Sequence, residues 1–306
     1  MSHCSFRGSI FEKLVELVQS GSLDLRDVEF NGPFSGLGLG SFDVQFDGAK
    51  FKCGADFSGV EFNGNAASFK NAEFHSHTNP EAATDDAHGV GWWQGVSFNG
   101  ANFKAPINME GAKFFGAANF ASAEFHDQAH FKRAEFGTTT LFSHARFHAF
   151  SDFYGARFGK GDGTTKSVCF ANTTFDAPVS FEKAAFPDRL PTLTGTTLHQ
   201  TTTVTARDGF WPALRGWFAK GEGEIQDHDE AKASASALRH VMSRQMLPEE
   251  EHFFFRREMH HAARLGPIGP RTPILIYETL SNFGHSIRRP IYWLGGIFGL
   301  GLGAMF

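Results

Sequence analysis

The chain has 306 residues, a formal net charge of −5 and a 41% hydrophobic composition. That length allows one large domain or two ordinary ones, and the composition excludes both a polytopic membrane protein and a disordered chain. Mild acidity argues against a general nucleic-acid binder, and Cys4, Cys53 and Cys169, far apart and without CxxC spacing, indicate neither a disulfide framework nor a zinc knuckle.

At the N-terminus, Phe6, Ile10, Leu14, Leu17 and Val18 fall at helical spacing and the run ends at Gly21. Glu12, Lys13 and Glu16 interrupt any apolar core of a signal peptide, so residues 1–22 are expected to form an amphipathic capping helix.

A repeat follows. The chain carries 36 Phe against three Tyr and five Trp, and Phe, unlike Tyr, needs no hydrogen-bond partner when buried. From Phe98 the large apolar residues stand at 98, 103, 109, 114, 120, 125, 131, 136, 142, 147, 153 and 158, with gaps alternating between 5 and 6. Each five-residue gap has the form F-x-x-A-x-F: FNGANF, MEGAKF, FASAEF, FKRAEF, FSHARF and FYGARF. An 11-residue period also suits a right-handed helical coiled coil, but Gly48, Gly59, Gly64, Gly100, Gly111, Gly116 and Gly155 recur two places after the central residue, Met109 for Gly111 and Phe for the others. In a helix each would cost about 1 kcal/mol relative to Ala, whereas at a turn glycine supplies the positive φ. Ala and Phe two apart point to the same side of an extended segment. The pattern therefore describes a solenoid of short strands. Leu25, Phe30, Phe46, Phe51, Phe57, Phe62, Phe69 and Phe74 extend it backward, and Phe170, Phe175, Phe181, Phe186, Leu193, Leu198 and Val204 forward, giving a span of 23–205.

These motifs resemble the pentapeptide-repeat proteins in their Phe-centred variety. The resemblance implies a right-handed quadrilateral parallel β-helix, an all-β solenoid, and is nearly silent on function. This sequence departs from the family by a sixth residue on alternate faces, which makes a 22-residue coil and widens the corners, for example at Phe115, Leu141 and Phe150. About six coils at a strand spacing of ~4.8 Å would make a rod on the order of 30 Å long.

An insertion at 75–97 interrupts the rod and gathers His75, His77, His88, Asp85 and Asp86, types that bind divalent metals. Their spacing fits no metal motif, so an exposed loop is expected, with Trp92 and Trp93 packing back on the rod. GLGLG at 36–40 lacks the strand and helix of a phosphate loop. His126 and His148, 22 apart, should stack on adjacent coils as solvated side chains. No catalytic set emerges, and no cofactor, metal or small-molecule substrate is expected. Residues 41–190 hold 17 acidic and 13 basic side chains, weak support for the strongly acidic surface with which some members of the resembled family mimic DNA.

After residue 205 the character changes. Leu238, Val241, Met242, Gln245 and Met246 form a helical stripe, and Pro248 with Glu249, Glu250 and Glu251 opens a second helix carrying HFFFRREMHHAAR. A helical hairpin is expected over 206–271, with a Met and Phe stripe as its core and a role as a lid on the last coil. Thr272-Pro273 should open a third, juxtamembrane helix closed by Gly284, within 272–290. Residues 291–306, IYWLGGIFGLGLGAMF, carry no charge and follow Arg288 and Arg289. Sixteen residues make about 24 Å of helix, short of a ~30 Å hydrocarbon core, yet the glycines, Tyr292 and Trp293 favour a membrane segment with the rod on the cytoplasmic side.

FFFRREM followed by YETLSNFGHSIRRPIYWLGG resembles the segment joining Phe-centred pentapeptide repeats to a membrane domain in bacterial proteins, some with a two-helix potassium-type channel. No second helix and no TVGYG-like filter are present, so conduction by this chain alone is not expected. The expected function is a non-enzymatic bacterial scaffold anchored at the cytoplasmic face of the inner membrane. Its partners would be an unidentified protein, or a second copy through the C-terminal helix, and no nucleic acid. The alternatives are the sensory domain and first membrane helix of a channel, and a soluble DNA-mimic inhibitor of topoisomerase.

Overall fold

A computed structural model describes residues 22–32, 34–35, 43–52, 55–57, 60–62, 67–75, 95–137, 139–159, 168–214 and 227–303. The expected N-terminal helix, the loop at 36–40 and residues 76–94 of the insertion, with His77, Asp85, Asp86, His88, Trp92 and Trp93, lie outside them. The chain divides into two units, Met1–Ala213 and Leu214–Phe306.

The first unit is a parallel β-solenoid. Its two- and three-residue strands fall into four sheets, and from Asp43 to Phe175 each circuit of the chain adds one strand to each sheet in turn. Face one holds eight strands, from Ser22–Asp24 to Thr203–Val204; face two holds six, from Glu29–Phe30 to Arg157–Phe158. Face three holds six, from Phe34–Ser35 to Val168–Cys169, and face four holds five, from Glu61–Phe62 to Thr174–Phe175. Phe103 pairs with Phe125 and Phe125 with Phe147, each 22 residues on, so the doubled period of the sequence is one circuit.

Two-residue alternation puts Ala and Phe inside. Ala101, Ala112, Ala123, Ala134, Ala145 and Ala156 are fully buried, and the central residues from Phe98 to Phe158 are at most 2% exposed. One coil stacks on the next ring over ring. On face two Phe51, Phe74, Phe114, Phe136, Phe158 and Phe186 form a column with centroid spacings of 4.7–5.0 Å and rings within 4° of parallel. Neighbouring columns meet edge to face, as Phe120 and Phe131 do at 5.6 Å and 87°. Each buried ring contributes roughly 1.5–3 kcal/mol of transfer free energy. Met109 takes a ring's place between Phe69 and Phe131, and Trp211 ends the face-two column by stacking on Phe186 at 5.1 Å.

The four corners are of two kinds. At narrow corners the chain turns in four residues, closed by bonds such as Ala101 N–H to Phe98 O at 3.0 Å. The third residue of the turn takes a positive φ, as in Gly48, Gly100, Gly111 and Gly155. Asp27, Asn71, Ser122, Arg133, His144, Asn172 and Lys183 take the same conformation on other coils. At wide corners one residue more is needed to reach the next inward position, and Phe115 and Phe150 sit there, 48% and 36% exposed. Leu141 does not. It lies in a strand, paired with Asn119 and Cys169, where its side chain follows buried Thr140 and so points outward. Gly116, also at a wide corner, is not among the positive-φ glycines, because the extra residue relieves the turn.

The second unit is helical: α1 His228–Arg244, α2 Pro248–Ala262, α3 Ile268–Ser281 and α4 Arg288–Gly303. The Asp227 carboxylate caps α1 by accepting from Asp229 N at 2.9 Å. Pro248 opens α2 at a position whose N–H would be free anyway, with Glu249, Glu250 and Glu251 in the first turn. Leu238, Val241 and Met242 are buried as expected, but Met246 is 86% exposed, since the chain has left the helix there with φ 58°. α3 begins at Ile268, not at Thr272-Pro273, with Pro267 extended before it and Pro273 inside. Asn282 ends it in the left-handed conformation, ahead of Gly284. α4 includes Arg288 and Arg289 in its first turn, where the sequence suggested a helix starting after them.

Candidate interaction surfaces

With its interior filled by rings, the rod meets other molecules only through outward side chains, and the sheet register places these in columns. On face two Glu29, Lys50, Glu73, Lys113, Glu135 and Arg157 are paired in sequence, each in register with the next. The signs alternate without a break. Lys50 Nζ lies 3.8 Å from Glu73 Oε2, and on the neighbouring corner Lys70 and Arg133 approach Glu110 at 3.9 and 4.0 Å. Exposed pairs of this kind add roughly 0–1 kcal/mol each, but together they cancel the field of the face. An acidic strip resembling a phosphate backbone is thus not what face two presents. Between faces one and two an open cleft of about 880 Å³ is lined by Arg133, Glu135, Tyr154, Arg157 and Lys183, with Lys183 Nζ donating to Tyr154 Oη at 2.5 Å.

Of the insertion histidines, His75 is described. Its Nε2 stands 3.3 Å from Glu73 Oε2 and its ring stacks on Phe115 at 4.6 Å. Burial works upward on the Glu73 carboxyl, but His75 and Lys50 hold it below the ordinary carboxylate value. His126 and His148 stack as expected, at 4.9 Å and 16°. The structure adds what spacing alone did not give: His126 Nε2 lies 3.3 Å from Glu124 Oε2, and His148 Nδ1 lies 2.9 Å from Asp176 Oδ2.

The helical unit has the reverse character. The expected Met and Phe stripe of α2 is only partly its core: Phe253 and Phe254 are buried, but so are Arg256, Arg257, His260 and His261. The Arg257 guanidinium lies over the Phe253 ring at 3.7 Å. His261 Nδ1 meets His228 Nδ1 of α1 at 3.0 Å, a pair in which one nitrogen must donate and the other accept. His260 Nδ1 bonds Glu278 Oε1 of α3 at 2.9 Å, and Arg264 reaches the same oxygen at 3.6 Å. Burial first, then the charges of His260, His228 and the arginines, pushes His261 down to about 3. His228 and His260 are lowered too, chiefly by burial. Burial favours a neutral Glu278, yet His260 and Arg264 keep its carboxyl below the ordinary range.

Apolar side chains stand outside instead. Ile287, Ile291, Tyr292, Leu294, Ile297, Phe298 and Leu300 are between 60% and 80% exposed, and Trp293 is 48% exposed. The apolar part of α4 from Ile291 to Gly303 measures about 20 Å. No helix among the described residues is long and apolar enough to cross a membrane.

Comparison with known proteins assigns the repeat. The family profile described as Pentapeptide repeats (9 copies) matches residues 98–141, the stretch where F-x-x-A-x-F is cleanest. No curated protein and no solved structure matches the chain.

Proposed function

The chain is a pentapeptide-repeat protein, and from that premise we propose that it acts as a non-enzymatic scaffold attached to a membrane surface by α4. The rod supports the scaffold half of this reading. Its interior is filled by ring columns, its described face-two charges answer one another, and its outward side chains repeat at fixed intervals on a stiff core. Such a surface suits the display of binding positions along a line better than the enclosure of a substrate.

The observation that carries the membrane half is the exposed apolar surface of α4, contiguous in sequence with Arg288 and Arg289. Monomeric proteins rarely leave so many large apolar side chains of one helix in water. Tyr292 and Trp293 follow the arginines directly, the order that places charge at headgroups, aromatic rings at the interface and aliphatic groups in the acyl region. The described apolar part, about 20 Å long, is enough for the helix to enter a bilayer. Its glycines allow close approach of a second helix, so attachment and self-association reinforce each other. The rod then lies on the side of the arginines, the cytoplasmic face of the inner membrane.

Flotation with vesicles tests this. The full chain is expected to float with vesicles containing anionic lipid, and a version ending at Arg289 to remain below while keeping its circular dichroism. Arg288→Glu with Arg289→Glu should weaken attachment by roughly 1 kcal/mol per charge on anionic vesicles and much less on neutral ones. Full-length chain that stays unbound to both vesicle types would overturn the anchor.

A further inference from the structure

We propose that Glu124, His126 and His148 form a surface site for a first-row divalent transition metal, zinc foremost, with Asp176 orienting His148. The three side chains each present one ligand atom, and these atoms lie within 4.8 Å of one another. Glu124 lies in the strand Glu124–Phe125 and His126 directly follows it, so the two, two residues apart, point to the same side. His148 stands one coil on. Its N–H donates to Phe125 O at 2.9 Å, just as His126 N–H donates to Phe103 O at 2.9 Å, so ladder bonds fix the two imidazoles in one column. The next member of that column is Asp176, whose N–H donates to Phe147 O at 2.9 Å. Glu124 therefore projects from a paired strand, and His126 and His148 from the hydrogen-bonded residues directly after paired strands of a packed rod, the support that a metal site needs.

His148 also has a carboxylate behind it. Asp176 Oδ2, 2.9 Å from His148 Nδ1, accepts its proton and leaves the Nε2 lone pair free, the carboxylate–histidine arrangement that orients metal-bound imidazoles. Metal–nitrogen and metal–oxygen distances near 2.0–2.2 Å require ligand atoms roughly 3.3 Å apart in a tetrahedron. Glu124 Oε2 and His126 Nε2 already stand at 3.3 Å. Without a metal the His126 Nε2 proton faces that carboxylate. On binding, the metal takes its place and the proton moves to Nδ1 of the same ring. The remaining ligand, His148, is exposed and closes on the ion by side-chain rotation.

Two imidazoles and one carboxylate select zinc, copper or nickel over calcium and magnesium, which prefer all-oxygen shells. Water would complete the open side. Arg146, in register with Glu124, and Lys104, one coil before His126, set cations beside the site and hold its affinity below that of an enclosed one.

Calorimetric titration of the full chain with zinc chloride decides the matter. Wild type is expected to take up one more zinc ion than His126→Ala/His148→Ala, with circular dichroism unchanged because these side chains are exposed. Glu124→Gln should weaken that uptake, and Asp176→Asn should lower the affinity by about 10–100-fold, with magnesium giving no response. His75→Ala, remote from the cluster, should leave it intact. Equal stoichiometry and affinity in wild type and the double variant, or no uptake by either, would overturn the proposal. An Asp176→Asn protein that binds as wild type would remove Asp176 from it.

Discussion

The rod and the helical unit sort their side chains by opposite rules. Among the described residues of the rod the inward positions are Phe, Ala or other small or apolar residues, and on face two the charges stand outside in a compensating column. In the helical unit histidines and arginines are buried against one another while isoleucines, leucines and aromatic rings of α4 face outward. A repeat can hide its entire apolar content because each coil covers the next. Four helices with one helix left uncovered cannot, and the surplus apolar surface is what a membrane or a second helix would remove from water.

The sharpest way to break the contrast is in the ring columns. Phe125→Ala or Phe131→Ala should destabilise the rod by roughly 3–5 kcal/mol, since the cavity lies between two neighbours that cannot close on it. Ala123→Leu or Ala134→Leu overfills the same layer and should cost ~1–3 kcal/mol. Thermal and denaturant midpoints check both. Unchanged midpoints in all four variants would mean that these slots do not face inward.

The helical unit should respond to acid through groups the rod's interior does not contain. His228, His260 and His261 have folded values below the ordinary imidazole value near 6.5, so the folded unit holds fewer protons than the unfolded chain. Their contribution is complete above about pH 6.5 and is lost as pH falls toward about 3, where folded His261 titrates. Glu278, held low, adds a further loss in the same direction. Helical circular dichroism should therefore melt earlier at mildly acidic pH than at neutral pH, by an amount on the order of a few kcal/mol in stability. His261→Gln should flatten the dependence; an equal slope in wild type and variant would show that this cluster does not govern it.

A smaller effect separates two glycines with the same backbone. Gly100 and Gly111 have φ of 64° and 68°. A Cβ on Gly100 meets nothing within 4 Å among the described residues, whereas one on Gly111 would collide with Asn71 Oδ1. Gly100→Ala should cost about 1–2 kcal/mol for the left-handed conformation alone, and Gly111→Ala more. Asn71→Gly should narrow the difference. Equal losses in the two alanine variants would show that Asn71 moves aside freely.

Most of the rod was legible because its signal is redundant: the same slot holds Ala six times running, and the buried ring follows two places later. Single residues that break phase misled. Leu141 suggested a widened corner because an apolar residue stood out of register, yet a strand side chain facing half-exposed space accounts for it. Gly116 matched the glycine pattern but lies where the corner is one residue longer. The helical unit was legible as helices and less so as packing. Pro273 suggested a start, although α3 accommodates it inside; the Met and Phe stripe suggested the core of the hairpin, although His260 and His261 are buried there too, with partners from α1 and α3. The Glu124–His126–His148 cluster was half visible, since the 22-residue spacing aligns the imidazoles but cannot report which way carboxylates turn.

The alternating column on face two has a consequence for how the chain threads itself. A stack of identical rings has no address: a coil that docked on the wrong neighbour, with one circuit looped out, would still find Phe beneath Phe. Skipping the coil of Glu73 would set Lys50 beside Lys113, and skipping that of Lys113 would set Glu73 beside Glu135. Like charges directly opposite are unfavourable, so each such slip is marked by repulsion on the outside while the inside is indifferent. The alternation of Asp27, Gly48, Asn71 and Gly111 along one corner acts alike, because a skipped coil brings two side chains into a space shaped for one. The surface of the rod thus counts coils that its core cannot tell apart.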